Sequence, residues 1–229
     1  MSDEVLHELS LFTGYHGFGL GLRLAGIKTR TVGYCDNDTY IQDLLRQRIH
    51  DGLIDDAPII SNVSTFDFSV YRGLVDIITA SPPCQPFSVA GNRAGESDKR
   101  NLWPDTRRAI SEVGPSYVFL ENVPGLATAP KFDIKVLEAT RQFSLFDQED
   151  KESHSRGINR SNHTVSGYSY MGRIIGDLSE MGYDTSWGIV SAGDVGAPHP
   201  RKRWFCVAYK VDDSEHIGLN TTQVSASIG

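Results

Sequence analysis

A chain of 229 residues, 39% of them hydrophobic, is long enough for one domain with a core of its own and a short tail. No run approaches the roughly twenty consecutive apolar residues of a membrane span, and the opening MSDEVLHELS lacks the basic-then-apolar layout of a secretory leader, so a cytoplasmic protein with no membrane partner is expected. The formal net charge of -7 argues against a general nucleic-acid coat, but not against an enzyme whose positive charge is confined to one cleft.

From the start to about residue 126, short β-branched runs alternate with amphipathic segments, the rhythm of βαβ units in a parallel sheet. Strands are expected at 5–12, 30–36, 58–63, 75–80 and 116–121. Ile41, Leu44, Leu45 and Ile49 stand at helical spacing and predict a helix over 39–49, with Asn37 or Asp38 as its cap. A second helix is expected over 101–113, because Pro104 is tolerated in a first turn and Gly114-Pro115 ends it. Residues 127–166 turn polar and read as a mobile insertion, SRGINRSNH having neither period. Order resumes with a helix over 170–181, where Ile174, Ile175, Leu178 and Met181 share a face, and with strands near 184–191 and 203–210. The expectation is one α/β domain over 1–210 and a polar tail over 211–229.

Basic residues fall in two clusters, Arg93, Lys99, Arg100, Arg107 and Arg108, then Arg201, Lys202 and Arg203, which only folding could merge. Cys35, Cys84 and Cys206 are far apart, odd in number and in no CxxC arrangement, so neither a disulfide framework nor a metal site is expected.

Four segments carry chemistry. LFTGYHGFGLGL (11–22) takes a strand into a glycine-rich turn and a helix, where backbone amides can approach a ligand closely. Gly14, Gly17, Gly19 and Gly21 do not keep the GxGxxG spacing, which disfavours a dinucleotide dehydrogenase. Asp36, closing the next strand, holds the position from which an acid accepts ribose hydroxyls, and together these features imply a nucleoside cofactor. Taken alone, they fit a ligand-free turn and a surface aspartate equally well. ASPPCQPFSVAG (80–91) follows the strand VDIIT, and Pro82, Pro83 and Pro86 fix the backbone around Cys84. An inert buried cysteine is the competing reading. VFLENVPGL (118–126) delivers Glu121 and Asn122 at a strand end, where a carboxylate after apolar residues is costly to bury without a purpose. GAPHPRKRWF (196–205) sets Arg201 and Arg203 on one side of an extended segment, to grip a phosphate or a carboxylate or to form a solvated edge.

In this order the segments resemble the cytosine carbon-5 DNA methyltransferases of phages and bacterial restriction-modification systems, over nearly the whole chain. The glycine turn resembles the family's cofactor motif, PPCQPFS its catalytic loop, ENV its base-recognition motif, and His199-Pro-Arg201-Lys-Arg203 its Gln-x-Arg-x-Arg run. Asp36 falls on the ribose-binding acid, Asn62-Val63 on the adenine contacts, and Leu102 on a leucine lining the cofactor pocket.

The resemblance implies a Rossmann-like methyltransferase fold, with a mostly parallel sheet, helices on both faces and the C-terminal target-recognition part missing. It implies S-adenosylmethionine as cofactor, S-adenosylhomocysteine as product, and contacts from Phe12, Thr13, Gly14, Gly17, Asp36, Asn37, Asn62, Val63, Pro83 and Leu102. Cys84 becomes the covalent nucleophile, Glu121 the group that holds a proton towards ring nitrogen 3, and Arg201 and Arg203 their supports. Double-stranded DNA is the expected partner, and a flipped-out cytosine the target. The enzyme acts alone or with a second polypeptide that supplies target recognition; the alternatives are an inactive remnant that binds cofactor or nucleic acid, and an RNA methyltransferase. Ser10, His16, Asn62 and His199 depart from the family pattern. His16, where glycine is usual, is expected to strain the turn or crowd the methionine end of the cofactor.

Overall fold

The structure, a computed structural model, describes residues 4–83, 101–127, 143–144 and 170–210. Those residues build an eight-stranded sheet in the order β3-β2-β1-β4-β5-β8-β7-β6. The strands are β1 (Leu6–Leu11), β2 (Thr29–Cys35), β3 (Ile59–Ile60), β4 (Ile77–Ala80), β5 (Tyr117–Asn122), β6 (Phe143–Ser144), β7 (Tyr183–Ser191) and β8 (Lys202–Lys210). Only β8 runs against its neighbours, pairing antiparallel with both β5 and β7. The helices are α1 (Gly17–Leu24), α2 (Thr39–His50), α3 (Trp103–Val113) and α4 (Tyr170–Glu180).

Local chemistry accounts for the element ends. Asp38 caps α2, its carboxylate accepting from the Tyr40 amide at 2.9 Å, so of the two expected caps the aspartate is used. Pro104 lies in the first turn of α3, and Gly114 closes that helix at φ +66. β3 is two residues long where six were expected, because the Asn62 side chain accepts from the Ser64 amide and turns the chain away. A short edge strand also leaves little unpaired backbone to recruit another chain.

The sheet buries two different faces. Leu9, Leu11, Ile78, Ala80, Val118 and Leu120 form one apolar layer with Trp103, Ile110 and Val113 of α3 and Ile174 and Leu178 of α4. Tyr71 also packs into this layer and needs Gly33, since a Cβ there would lie 2.7 Å from its hydroxyl. The opposite face of β1 carries Glu8 and Ser10, both buried, and α1 begins over it. Right-handed crossovers leading one way from β1 and the other way from β4 put α1 and α2 on that face and α3 on the first, so helices cover both. Among the described residues, no helix is long and apolar enough to cross a membrane. The expected mobile insertion, apart from the two residues of β6, and the expected tail lie outside the described residues.

Candidate active site

Every segment singled out in the sequence meets one edge of the sheet. The glycine turn follows β1, Asp36 follows β2, Asn62-Val63 follows β3, Ser81 to Pro83 follow β4, and Glu121-Asn122 end β5. Because β8 is antiparallel, its start, with Arg201 just ahead of it, comes to the same edge. The strand order reverses between β1 and β4, so the glycine turn and the proline-rich loop flank the crevice where open α/β sheets take ligands.

On the β4–β5–β8 side, Arg203 Nε donates to Glu121 Oε1 at 2.7 Å, with the two side chains only 26% and 22% exposed. Glu121 sits opposite Phe205, so Arg203 is its diagonal neighbour on the same face, two residues along β8. Arg201 is exposed; its carbonyl accepts from the Ala192 amide at 3.0 Å, and among the described residues it has no ion-pair partner. The structure thus joins Glu121 to Arg203 and leaves Arg201 at the rim.

Asn122 is buried, and its Nδ2 donates to the Pro82 carbonyl at 3.1 Å, tying the loop after β4 to the end of β5. Pro83 is exposed next to that anchor, and Cys84 lies outside the described residues. Cys35 and Cys206 are both buried, and burial pushes each thiol up to about 12, with the Asp36 charge adding to the effect at Cys35. Neither supplies a thiolate at neutral pH, so the other two cysteines offer no rival to Cys84.

On the β1–β2 side, Thr13 is buried, its amide and hydroxyl both bonded to the Cys35 backbone. Asp36 accepts from the Gly14 amide at 2.8 Å and from the Asp38 amide at 3.0 Å, one on each carboxylate oxygen. Each oxygen keeps a lone pair for a ligand hydroxyl. Phe12, Gly14 and His16 have φ of +53, +50 and +57. A Cβ on Gly14 or Gly17 would meet nothing within 4 Å, so the backbone there is bare.

Asn37 and Asn62 are exposed, in the segments that follow β2 and β3. Val63 is buried in the core, its carbonyl held by Arg108 Nη2 at 2.5 Å, and Leu102 is half-buried at the head of α3. An open turn, a carboxylate and an apolar rim fit the ribose and base of a nucleoside cofactor.

The sequence model of the C-5 cytosine-specific DNA methylase family matches residues 6–142 and 156–227. The chain belongs to that family. Type II methyltransferase M.CviJI of Paramecium bursaria Chlorella virus IL3A is 29% identical over 205 residues, 89% of this chain and 43% of that protein. M.PspPI of Psychrobacter sp. is 38% identical over 121 residues, 52% of this chain and 27% of that one. M.AquIA of Picosynechococcus sp. is 27% identical over 207 residues, 89% of this chain and 71% of that one.

Among solved structures, a putative DNA modification methyltransferase from an E. coli prophage superposes with a TM-score of 0.59 at 22% identity, covering 91% of this chain and 48% of that one. Spodoptera frugiperda DNMT2 does so at 0.58 and 20%, covering 90% and 50%. Both are likenesses of fold. This methylase-family chain spans about half or less of the length of M.CviJI, M.PspPI and both structures.

Folding decides two points that the sequence left open. The first basic cluster is not gathered for a ligand where it is described: Arg107 pairs with Asp177 and Glu180 of α4, and Arg108 with Glu112. His16 does adopt the strained left-handed backbone, but its ring is buried under the turn, 4% exposed, and bonded to Glu8. A ring so placed does not crowd the crevice.

Glu8 is the residue that the sequence reading missed. Its only signal was a carboxylate inside LHELSL, the segment that forms β1. Burial works to raise its pKa, but the hydrogen bond and charge of His16, with the hydroxyls of Thr79 and Thr31, outweigh it and hold the carboxyl below the ordinary 4.5. Its stabilisation is therefore complete above the unfolded-state value and is lost as pH falls through the lower folded one. Melting temperatures should drop below about pH 4.5, and less steeply in Glu8→Gln; parallel acid limbs in the two proteins would refute that role.

Proposed function

We propose that this chain carries the catalytic core of a DNA (cytosine-5) methyltransferase. It moves the methyl group of S-adenosylmethionine to carbon 5 of a cytosine turned out of double-stranded DNA, through an adduct on Cys84. The observation that supports this most is the Glu121–Arg203 pair at 2.7 Å, at the sheet edge where Asn122 also anchors the loop leading to Cys84. A buried tie and a charge-assisted bond fix groups that must act on one small ring.

The cofactor, when bound, supplies an electrophilic methyl group on a positively charged sulfur. Gly14, Gly17 and Asp36 hold it, with Phe12, Thr13, Asn37, Asn62, Val63, Pro83 and Leu102 around them. Cytosine carbon 5 is too weak a nucleophile unaided. The Cys84 thiolate adds to carbon 6, which breaks the 5,6 double bond and moves its electrons to carbon 5. Glu121 holds a proton towards nitrogen 3 and accepts from the exocyclic amine, stabilising the charge that develops. Arg203 orients Glu121, and Arg201 reaches for the cytosine carbonyl oxygen. Once carbon 5 is methylated, loss of its proton and expulsion of the thiolate restore the double bond. A base must leave the stack for these groups to reach it, at a cost of a few kcal/mol.

Tritiated S-adenosylmethionine and a mixed-sequence duplex test the whole reading. Label recovered as 5-methylcytosine supports an enzyme that acts alone; none, from a chain that still binds S-adenosylhomocysteine, would leave a binding module or the catalytic part of a two-chain enzyme. The cofactor assignment has its own test. Asp36→Ala removes a charge-assisted acceptor of about 1.5–3 kcal/mol, so the Kd for S-adenosylhomocysteine should rise about tenfold or more by calorimetry. An unchanged Kd would remove Asp36 from the site.

A further inference from the structure

Beneath the glycine turn lies a buried polar cluster that no step of the reaction uses. Glu8, wholly buried in the middle of β1, accepts from His16 Nε2 at 3.1 Å and from the Thr31 hydroxyl at 3.0 Å on Oε2, and from the Thr79 hydroxyl at 2.7 Å on Oε1. Thr31 belongs to β2 and Thr79 to β4, so this carboxylate links the head of α1 to both strands that flank β1. The reversal in strand order lies between two of them.

His16 ends the turn. Its amide donates to the Thr13 carbonyl at 2.8 Å, and its carbonyl accepts from Leu20 in α1. The ring stands edge-on to Tyr34, 5.2 Å between centroids, and needs a glycine beneath it, since a Cβ on Gly19 would come within 2.2 Å. Among the described residues Nδ1 is buried without a hydrogen-bond partner, and the ring is held through Nε2, by Glu8 at 3.1 Å and the Thr31 hydroxyl at 3.4 Å. A residue with a side chain stays in the left-handed region only where its surroundings over-determine it, and an ionised carboxylate is buried only with donors around it. Each of the two residues answers the other's need.

The consequence for the turn follows from its fastenings. Thr13 is fixed to Cys35 of β2, Gly14 to Asp36, the Tyr15 carbonyl to Arg48 of α2 at 2.8 Å, and His16 to Glu8. Gly14 and Gly17, whose backbone faces open space, lie within or directly beside this fastened stretch.

We propose that Glu8 and His16 are paired positioning residues of the cofactor turn, their buried contact holding the backbone of Phe12 to Gly17 in the shape that receives S-adenosylmethionine. The inference rests on the cofactor reading of the turn, and neither residue serves without the other.

Calorimetry with S-adenosylhomocysteine on the full chain, Glu8→Leu, His16→Gly and the double variant tests it, with melting temperatures measured alongside. Each single variant should bind one equivalent with a Kd at least tenfold higher, and the double variant should lose no more than either single one. A role in stability alone would lower the melting temperature and the binding stoichiometry, but leave the Kd of the folded fraction unchanged. Folded variants with the wild-type Kd would overturn the proposal, as would losses that multiply in the double variant. Should the singles not fold, the double, which leaves neither a buried carboxylate without His16 nor a buried imidazole without Glu8, decides by the same Kd. A wild-type chain that takes up no S-adenosylhomocysteine would overturn the cofactor reading itself, and this inference with it.

Discussion

Cys84→Ser is expected to abolish the covalent complex with DNA while leaving the fold intact. A duplex carrying 5-fluorocytosine traps the adduct, because fluorine cannot leave carbon 5 as a proton does, and the trapped species survives denaturation. A serine hydroxyl is not ionised near neutral pH and has no adjacent base in the proposed mechanism, so addition to carbon 6 should fall by on the order of 10³-fold or more. The other two thiols offer no substitute: Cys35 and Cys206 are buried, with pKa values pushed up to about 12. The readout is a labelled band on a denaturing gel, present for the wild-type chain and lost in the variant. Wild-type trapping by the serine protein would sink the nucleophile assignment, and an unchanged melting temperature would show that the loss is chemical.

Glu121→Gln should be the second largest effect. Glutamine keeps the shape but holds no transferable proton and carries no charge for Arg203, whose Nε lies 2.7 Å from the Glu121 carboxylate. Losing a positioned acid-base group typically costs about 10²–10⁴-fold in rate, so single-turnover methyl transfer should slow by that range. Affinity for S-adenosylhomocysteine should hold, since Glu121 ends β5 while the cofactor turn follows β1, with β4 between them. Stability should change by no more than about 1 kcal/mol, because a partly solvated ion pair contributes little. A rate within threefold of wild type would make the pair structural. Arg203→Ala should slow transfer too, and less than additively with Glu121→Gln if the arginine acts through the glutamate.

Much of this architecture was legible in the sequence because its signals are local. Alternating β-branched runs and helical spacing located ten of the elements, and the glycine turn, the prolines around Cys84 and the acid closing β5 each stand at the end of a strand. The four ordered segments were enough to mark the family resemblance. Where a local feature had two solutions, the structure chose: Asp38 rather than Asn37 caps α2, and an Asx turn cuts β3 to two residues.

Tertiary structure alone decided three further things. Periodicity identified β8 as a strand but carries no direction, and only its antiparallel insertion between β5 and β7 brings Arg203 to Glu121, 82 residues earlier in the chain. Arg107 and Arg108 are adjacent in the first basic cluster, yet Arg107 pairs with Asp177 and Glu180 only because α4 packs beside α3, while Arg108 turns to Glu112 one turn along its own helix. Nothing local marks out Glu8 in LHELSL. Its donors lie 8, 23 and 71 residues away, and a buried carboxylate is stable only once the sheet has assembled them around it.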